Sequence, residues 1–310
     1  MNSTPGTPSQ PWDVIVVGGG SAGLSAALML GRARRRVLVV DGGEPRNRVA
    51  AHMHGVLGHD GRPPLELLAM GHEELTRYGI ERRSASASAA HLESGDVIVV
   101  VDGEELRARR LVVATGLSDE LPDIPGIQQH WGDGVVVCPY CDGWEHRDQR
   151  IGVLATSPGS VSYVQLLRQW TSDLVFLTGD IPEPEAADLA GLEARGIEIE
   201  RRGIHRVVAN GDQLAGIELA DGHVLEVDVI FTHTKVTPND ALLRALGAEV
   251  NEDGWAVVDA SGRTSVPSVW AIGNLVNPSA NVPVSIAAGS MAGGAINMDL
   301  VAEDIALAIG

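Results

Sequence analysis

The residues of this chain best suited to chemistry are its two cysteines, which lie in the stretch Cys138-Pro139-Tyr140-Cys141-Asp142-Gly143. They are the only cysteines among 310 residues, and two residues separate them. Such a pair can close into a disulfide and open again, and its two thiols together exchange two electrons. A CxxC pattern alone has little specificity. Its meaning therefore depends on the elements around it.

The N-terminal region has the pattern of a βαβ unit. Apolar runs at 12–17 and 37–40 predict two strands, and the alanine- and leucine-rich segment that runs to about residue 30 predicts a helix between them. Asp41 closes the second strand, where a carboxylate can accept the hydroxyls of a ribose. An ordinary βαβ unit with a glycine turn is the alternative interpretation.

Three glycines lie between the first strand and the helix at GxGxxG spacing. Gly18 permits the tight turn, Gly20 lets the backbone approach a pyrophosphate, and Gly23 allows the helix to pack closely on the strand. The N-terminus of the helix then faces the phosphates. With strand, helix and acid all in place, the pattern predicts a dinucleotide site.

A second βαβ pattern lies in the middle of the chain. It starts with a strand at 151–154, continues through a helix near 161–170, and reaches a strand at 174–177. Further along, residues 266–272 predict a late strand and a final helix starts at about residue 285.

These patterns predict an α/β fold with two Rossmann-like domains, the second inserted in the first. The interrupted domain comprises residues 1–118 and 243–310, and the inserted domain comprises residues 119–242 and carries the CxxC.

Composition limits the possible partners and location. The net charge of -18, from 23 basic and 41 acidic residues, argues against nucleic acid or an anionic membrane surface. Residues 1–11 lack the pattern of a signal peptide, and we expect no apolar run of the roughly 20 residues that a membrane helix needs. We therefore predict a cytoplasmic protein, where a cysteine pair is more often redox-active or metal-binding than structural.

The chain resembles the low-molecular-weight thioredoxin reductase family over nearly its whole length. The motifs that carry the resemblance are GGGSAG, the ATG segment, CPYCDG, Thr237-Pro238-Asn239, and TSVPSVWAIGN followed by an Ala/Gly-rich helix. The resemblance implies tightly bound FAD in the interrupted domain, a nicotinamide site in the inserted domain, and a homodimer.

The FAD-binding positions are implied by the same resemblance. They are Gly18, Gly20, Ser21, Ala22, Gly23, Asp41, Arg46, Asn47, Thr115, Gly116, Gly273, Asn274, Val282 and Val284. Asn274 stands where the family has an aspartate, and its amide can still hydrogen-bond a hydroxyl but carries no charge. By the family pattern the final helix begins near Val284 and its N-terminus points at the flavin, where its dipole would stabilise negative charge.

The second nucleotide fingerprint departs from the family. Ala155, Ser157 and Ser160 occupy the positions of its three small residues, and side chains at the first two would crowd a pyrophosphate. Pro158 removes a backbone donor from the loop. The next strand ends in Thr178-Gly179-Asp180 instead of the basic residues that would bind a 2'-phosphate. These changes predict that NADPH is not bound, with divergent binding of NAD(P)H as the alternative.

An intact flavin site beside a degenerate nicotinamide site resembles a subgroup of the family, the flavin-dependent dithiol oxidases of gliotoxin and holomycin pathways. Gly143-Trp144-Glu145 after the CxxC is similar to that subgroup, as is the segment from Arg46-Asn47 to His52-Met53-His54-Gly55. The subgroup usually has histidine after the second cysteine. Asp142 is instead the residue that reductases have.

The resemblance implies distinct roles for the residues of the redox site. Cys138 faces the substrate and Cys141 faces the flavin, while Asp142 is the acid or base beside the pair. His52 or His54 is a candidate second base toward a substrate thiol.

Two other interpretations of the cysteines stay open. One is a zinc half-site completed by His130 and His146, and the other is a static structural disulfide.

The leading hypothesis is an FAD-dependent oxidase that forms a disulfide in a small-molecule dithiol, with O2 as acceptor and hydrogen peroxide as product. The alternative is a thioredoxin reductase that acts on a thioredoxin-like protein and uses NADPH or a ferredoxin-like donor. A third hypothesis is a non-catalytic flavoprotein that senses redox state or binds a partner.

Overall fold

The structure, a computed structural model, describes residues 11–179 and 181–310. The residues before Pro11, and Asp180 in the predicted nicotinamide site, lie outside the described part. The strands within the described residues are β1 Trp12–Val17, β2 Val37–Asp41, β3 Glu81–Ser84, β4 Ala87–Glu93, β5 Asp96–Val101, β6 Glu104–Val113, β7 Leu117–Glu120, β8 Val135–Val136, β9 Ile151–Leu154, β10 Leu174–Leu177, β11 Glu198–Glu200, β12 Ile204–Asn210, β13 Gln213–Leu219, β14 Val224–Leu225, β15 Val229–Thr232, β16 Lys235–Pro238 and β17 Val269–Ala271. The α-helices are α1 Ser21–Arg32, α2 Pro64–Arg77, α3 Pro139–Asp142, α4 Ser160–Leu167, α5 Ala186–Ala194, α6 Ala241–Ala245 and α7 Val282–Ile309, and the short 3₁₀ helices are Arg46–Val49, Ile127–His130 and Gly273–Leu275.

The described chain divides into two compact units. The first contains residues up to 46, 65–118 and 238–310, and the second contains 47–64 and 119–237. This division differs from the predicted domains in two places. The segment 47–64 joins the second unit, because Val49 lies against Gly132 and His54 lies near Glu145. The boundary before α6 also falls at residue 238 instead of 243.

The first unit is built on a seven-stranded sheet. Its order is β3-β2-β1-β6-β5-β4, and β17 pairs with the C-terminal half of β6. The strands β3, β2, β1, β6 and β17 run parallel, whereas β5 and β4 add an antiparallel edge. β1 is buried on both sides: Ile15 and Val17 face one core, and Val14 and Val16 face the other. Such two-sided burial explains why the strand reads as an unbroken apolar run.

Helix α7 packs on α1 through small residues. A side chain added at Gly289 would collide with the backbone of Ala22, and one at Gly293 would collide with Met29. The Ser25 hydroxyl also donates to the carbonyl oxygen of Ile286 at 2.7 Å. These contacts hold α7 against the βαβ unit that carries the glycine loop.

The expectation that no segment reaches membrane-spanning length is wrong. Helix α7, with 28 residues, is long and apolar enough by length and composition alone. This is weak support for a membrane segment, because core helices of globular proteins pass the same test. Ile296 and Leu300 lie in the core, and Asp299 and Asp304 near the end of α7 bind arginines of the first unit.

The second unit has a five-stranded parallel sheet of order β11-β10-β9-β15-β8. Helix α4 covers one face with Val161, Val164 and Leu167, and the antiparallel sheet β12-β13-β14 covers the other. Strand β8 leads directly into the CxxC segment. Outside this sheet, β7 pairs with β16 where the chain passes between the two units.

Candidate active site

The two cysteines form a disulfide at the start of a single helical turn. Cys138 has an extended backbone and precedes Pro139, the first residue of α3, and both Cys141 N–H and Asp142 N–H donate to its carbonyl oxygen at 3.0 Å. The Cα atoms of Cys138 and Cys141 are 5.1 Å apart, within the usual range for a disulfide. One turn of helix therefore brings the two sulfurs together without long-range support.

Tyr163 fixes the strand that leads into this turn. Its buried hydroxyl donates to the carbonyl oxygen of Val137, the residue before Cys138, and its ring stacks on His233 with centroids 4.1 Å apart. Burial raises the pKa of Tyr163, and the charge of Asp142 adds to this shift, so the hydroxyl stays a neutral donor. Tyr163 was not predicted, because it lies in an apolar helix whose pattern indicates core residues.

Asp142, the residue after Cys141, has a raised pKa. Burial raises its pKa from 3.8 to about 6, and the charge of Glu145 adds to the increase. His146 and His54 act in the opposite direction, because a positive charge on either ring would favour the carboxylate. A carboxyl group with such a pKa can both take and return a proton near neutral pH.

The two predicted histidines lie in different environments. His52 is exposed, whereas the His54 side chain is only 22% exposed and lies between two carboxylates. His54 Nδ1 is 3.5 Å from Asp60 Oδ1, and His54 Nε2 is 3.5 Å from Glu145 Oε1. The structure therefore brings His54 to the charged groups around Asp142. Glu145 was not predicted, since no local sequence pattern relates it to His54, whereas Asp60 lies in the same turn as His54.

Two aromatic side chains in the segment of the cysteines lie exposed. Tyr140 is 72% exposed and Trp144 is 66% exposed. Trp144 is held by Arg147, whose guanidinium lies 4.3 Å from the ring centroid, and the Tyr140 ring meets the edge of Trp170 at 5.7 Å. Large aromatic surfaces left in solvent but fixed in position are suited to contact a ligand.

The first glycine loop fits the diphosphate of a dinucleotide. Gly18 has a φ of +105°, and a Cβ there would collide with the Ala114 carbonyl, whereas a Cβ at Gly20 would meet nothing within 4 Å. No side chain caps the N-terminus of α1. Asp41 Oδ1 accepts the N–H of Gly19 at 2.9 Å, which holds the acid at the loop. The open space and the uncapped amides match what a pyrophosphate requires.

Thr115, Gly116 and Arg46 are further predicted cofactor positions in the same unit, whereas Asn47 belongs to the second unit. Thr115 Oγ1 donates to the carbonyl oxygen of Asn239 at 2.7 Å, and the N–H of Asn239 donates to Gly116 at 3.0 Å. Arg46 donates to the carbonyl oxygen of Pro278 at 3.3 Å. Asn47 lies in a short helical turn after Arg46.

Asn274 has a structural use that an aspartate could not serve. Its Nδ2 donates to the carbonyl oxygens of Asn277, Pro278 and Ala280, at 3.1, 3.3 and 2.9 Å. A carboxylate has no proton to donate. The amide therefore holds the loop between Gly273 and α7 in place.

Helix α7 begins at Val282, three residues before the predicted start. Asn281 caps it, because its side chain accepts the N–H of Val284 at 3.2 Å.

The second nucleotide loop is closed by its own side chain. The Ser160 hydroxyl is fully buried and accepts the backbone N–H groups of Thr156 at 3.1 Å and Ser157 at 3.4 Å. In a phosphate-binding loop such amides point at the ligand. Here they are already paired, and Ala155 is buried beside them.

No group of three or more His, Cys, Asp or Glu side chains that could hold a metal ion occurs in the described part of the chain. His130 is buried in its 3₁₀ helix, and His146 Nδ1 pairs with Gln149 Oε1 at 2.9 Å. The zinc interpretation of the cysteine pair therefore has no support from this geometry.

Known proteins resemble this chain, with its glycine-rich nucleotide loop and its CxxC pair, over most of its length. The model of the pyridine nucleotide-disulphide oxidoreductases matches residues 12–292. The chain belongs to the pyridine nucleotide-disulphide oxidoreductase family. This confirms the predicted resemblance and the α/β class with two Rossmann-like domains. Members of this family that resemble thioredoxin reductases are flavoproteins.

Three relatives illustrate the likeness over the whole chain. Thioredoxin reductase tcpT of Claviceps purpurea is 32% identical over 304 residues, covering 94% of this chain and 95% of tcpT. The crystal structure of HlmI is 44% identical with a TM-score of 0.94, covering 98% of this chain and 96% of HlmI. The crystal structure of an oxidoreductase from Agrobacterium tumefaciens is 37% identical with a TM-score of 0.89, covering 94% of this chain and 99% of that oxidoreductase.

Proposed function

We propose that this oxidoreductase is an FAD-dependent dithiol oxidase, which forms a disulfide in a small-molecule dithiol. The observation that carries the proposal is the Ser160 hydroxyl, which occupies the amides of Thr156 and Ser157 that a nicotinamide cofactor would need. The first glycine loop keeps its open space at Gly20. A chain whose first loop is open and whose second loop has its amides already paired is suited to receive its electrons from a thiol.

The residues of the helical turn that carries Cys138 and Cys141, called the redox turn below, have different roles in the reaction. A substrate thiolate attacks one sulfur of the Cys138–Cys141 disulfide, and the other sulfur leaves as a thiolate. Asp142 takes the proton of the attacking thiol, because its carboxylate form is abundant above a pKa of about 6. The second substrate thiol then displaces the cysteine and closes the product disulfide.

The glycine loop at Gly18 and Gly20, together with Asp41, would hold FAD. Thr115 and Asn274 would also contact FAD, each from a different segment of the chain. When bound, FAD supplies the acceptor for the two electrons of the dithiol and passes them to O2, which becomes hydrogen peroxide. The homodimer implied by the resemblance and the cytoplasmic location belong to the same proposal.

A second candidate is a disulfide reductase that uses NADPH or a ferredoxin-like donor. Asp142 after the second cysteine favours it, as does the name of the relative tcpT. A non-catalytic flavoprotein is the third.

The three candidates separate in one anaerobic experiment. Purified protein is mixed with NADPH, NADH or dithiothreitol in separate cuvettes, and the absorbance of oxidised flavin is followed. We expect only dithiothreitol to bleach the flavin, and air to restore the colour with hydrogen peroxide formed. Rapid bleaching by stoichiometric NADPH would support the reductase instead. A flavin that is bleached but gives no steady-state turnover with any thiol would support the non-catalytic flavoprotein.

A further inference from the structure

We propose that Glu145 is a positioning residue that holds His54 as the second proton acceptor of dithiol oxidation. The inference rests on the proposed thiol–disulfide chemistry at Cys138 and Cys141 and assigns a role to a carboxylate outside the CxxC motif. Its basis is the approach of Glu145 Oε1 to within 3.5 Å of His54 Nε2.

Oxidation of a dithiol releases two protons, and two acceptors take both without an exchange with solvent between the steps. In the first step a substrate thiol loses its proton, its sulfur bonds to a cysteine sulfur, and the Cys138–Cys141 bond breaks with its electron pair on the other cysteine. In the second step the remaining thiol loses its proton and attacks the substrate sulfur of the mixed disulfide. The product disulfide forms, and the second cysteine leaves as a thiolate. Two electrons then rest on the cysteines, and two protons have passed to bases. Asp142 can accept one of them.

We assign the other proton to His54, which lies close to Asp142 and Glu145. It is near enough for its charge to act on Asp142, as His146 and Glu145 also do. His146 is already paired with Gln149 at 2.9 Å. His54 instead has a carboxylate 3.5 Å from each ring nitrogen, and such partners orient an imidazole.

The two carboxylates beside His54 differ in their surroundings. Asp60 is 69% exposed, and its Oδ1 accepts the N–H of Gly55 at 2.8 Å, so it belongs to the same local turn as His54. Glu145 is 39% exposed and follows Cys141 by four residues. Only Glu145 therefore ties the imidazole to the redox turn. Solvent weakens an exposed ion pair such as that of Asp60.

The test uses single turnover of the flavin-loaded enzyme with dithiothreitol without oxygen. Rapid acid quenching and mass spectrometry count the enzyme that carries dithiothreitol as a mixed disulfide. We expect His54→Ala to slow the decay of the mixed disulfide about 10²-fold, the lower range of general-base catalysis. We expect Glu145→Gln to slow it about tenfold, and the double variant to be no slower than His54→Ala alone, because coupled residues are not additive.

Asp60→Asn is the matched control, since it keeps the acceptor for Gly55 N–H and removes the other carboxylate. We expect its decay rate to stay within about twofold of the unchanged enzyme, as for a surface ion pair. The proposal would be overturned if Asp60→Asn and Glu145→Gln slowed the decay of the mixed disulfide equally. It would also be overturned if the two rate reductions multiplied in the His54→Ala/Glu145→Gln enzyme. Thermal unfolding and flavin content establish that each variant is folded.

A second readout is the pH dependence of the first step. The charge of Glu145 raises the pKa of Asp142, so Glu145→Gln should move the acid limb of the rate profile to lower pH, and Asp60→Asn should leave it in place. An unmoved limb in Glu145→Gln would contradict the placement of Glu145. Exchange at the cysteines occurs in an oxidase and in a reductase, so this test can be read even if the oxidase assay fails.

Discussion

The hydroxyl of Ser160 accepts the backbone N–H of Thr156 at 3.1 Å, inside the loop where the diphosphate of a nicotinamide cofactor would bind. The same hydroxyl also accepts the N–H of Ser157. The βαβ frame of β9, α4 and β10 is retained, yet its ligand-binding amides bond within the protein. The inserted unit thereby keeps its fold, and two amides of this loop already have an acceptor within the protein.

Ser160→Ala should destabilise the protein by about 1–3 kcal/mol, because it leaves two amides without their acceptor. The midpoint and slope of urea unfolding measure this loss. Ser162→Ala, at an exposed position of the same helix, is the control and should change the free energy of unfolding by no more than about 0.5 kcal/mol. If both variants unfold alike, the Ser160 bonds do not stabilise the loop.

Gly20→Ala separates flavin binding from folding. Nothing in the protein lies within 4 Å of the Cβ it would add, and Gly20 has an ordinary negative φ of -72°. We expect the purified variant to unfold as the parent apoprotein does but to contain little flavin, because the methyl group would meet the pyrophosphate. The measurements are the ratio of flavin to protein absorbance and the melting curve. Gly294→Ala, also in open space, should retain the flavin, and full flavin content in Gly20→Ala would exclude a diphosphate from this loop.

Asp142→Asn should affect activity and stability in opposite directions. The rate of flavin reduction by dithiothreitol should fall about 10²-fold or more, and the acid limb near pH 6 should disappear. The stopped-flow rate as a function of pH measures both effects.

The stability change follows from the raised pKa of Asp142. Its pKa of about 6 in the folded protein lies above the ordinary 3.8, so folding favours the protonated carboxyl. The native state therefore loses stability as the pH rises from about 4 to 6, and the full cost remains above pH 6. Asp142→Asn should thus raise the free energy of unfolding at pH 8 by up to about 3 kcal/mol. This gain should vanish below pH 4, and an equal gain at both pH values would contradict the raised pKa.

How far the sequence predicts the structure depends on the range of the interactions. The bounds of β1, β9 and β10 agree with the prediction, because a parallel strand buried on both faces is an unbroken apolar run. Strands β3 and β4 were missed. Their sequences, ERRS and ASAAHLE, are mostly exposed, and their apolar residues follow neither the helical period of 3.6 nor the strand period of 2 clearly.

The candidate site shows the same division between local and distant contacts. The disulfide of Cys138 and Cys141 is local to one turn and could be anticipated. The approach of Glu145 to His54 joins positions separated by 90 residues in the chain, and no local pattern relates them. The assignment of 47–64 to the second unit depends on contacts of this kind.

Trp144 should determine which dithiols react well. Trp144 follows Cys141 by three residues, and its exposed ring is held by Arg147, so an apolar substrate can stack on it without first ordering the side chain. We expect Trp144→Ala to raise KM about tenfold for benzene-dimethanethiol, an aromatic dithiol, since an aromatic pair contributes about 0.5–1.5 kcal/mol beyond the area it buries. KM for dithiothreitol, which has no ring, should change little. Trp144→Phe retains a ring and should recover most of the affinity. Oxygen consumption measured with both dithiols gives the comparison, and an equal rise in KM for both would mean that Trp144 shapes the turn and does not contact the substrate.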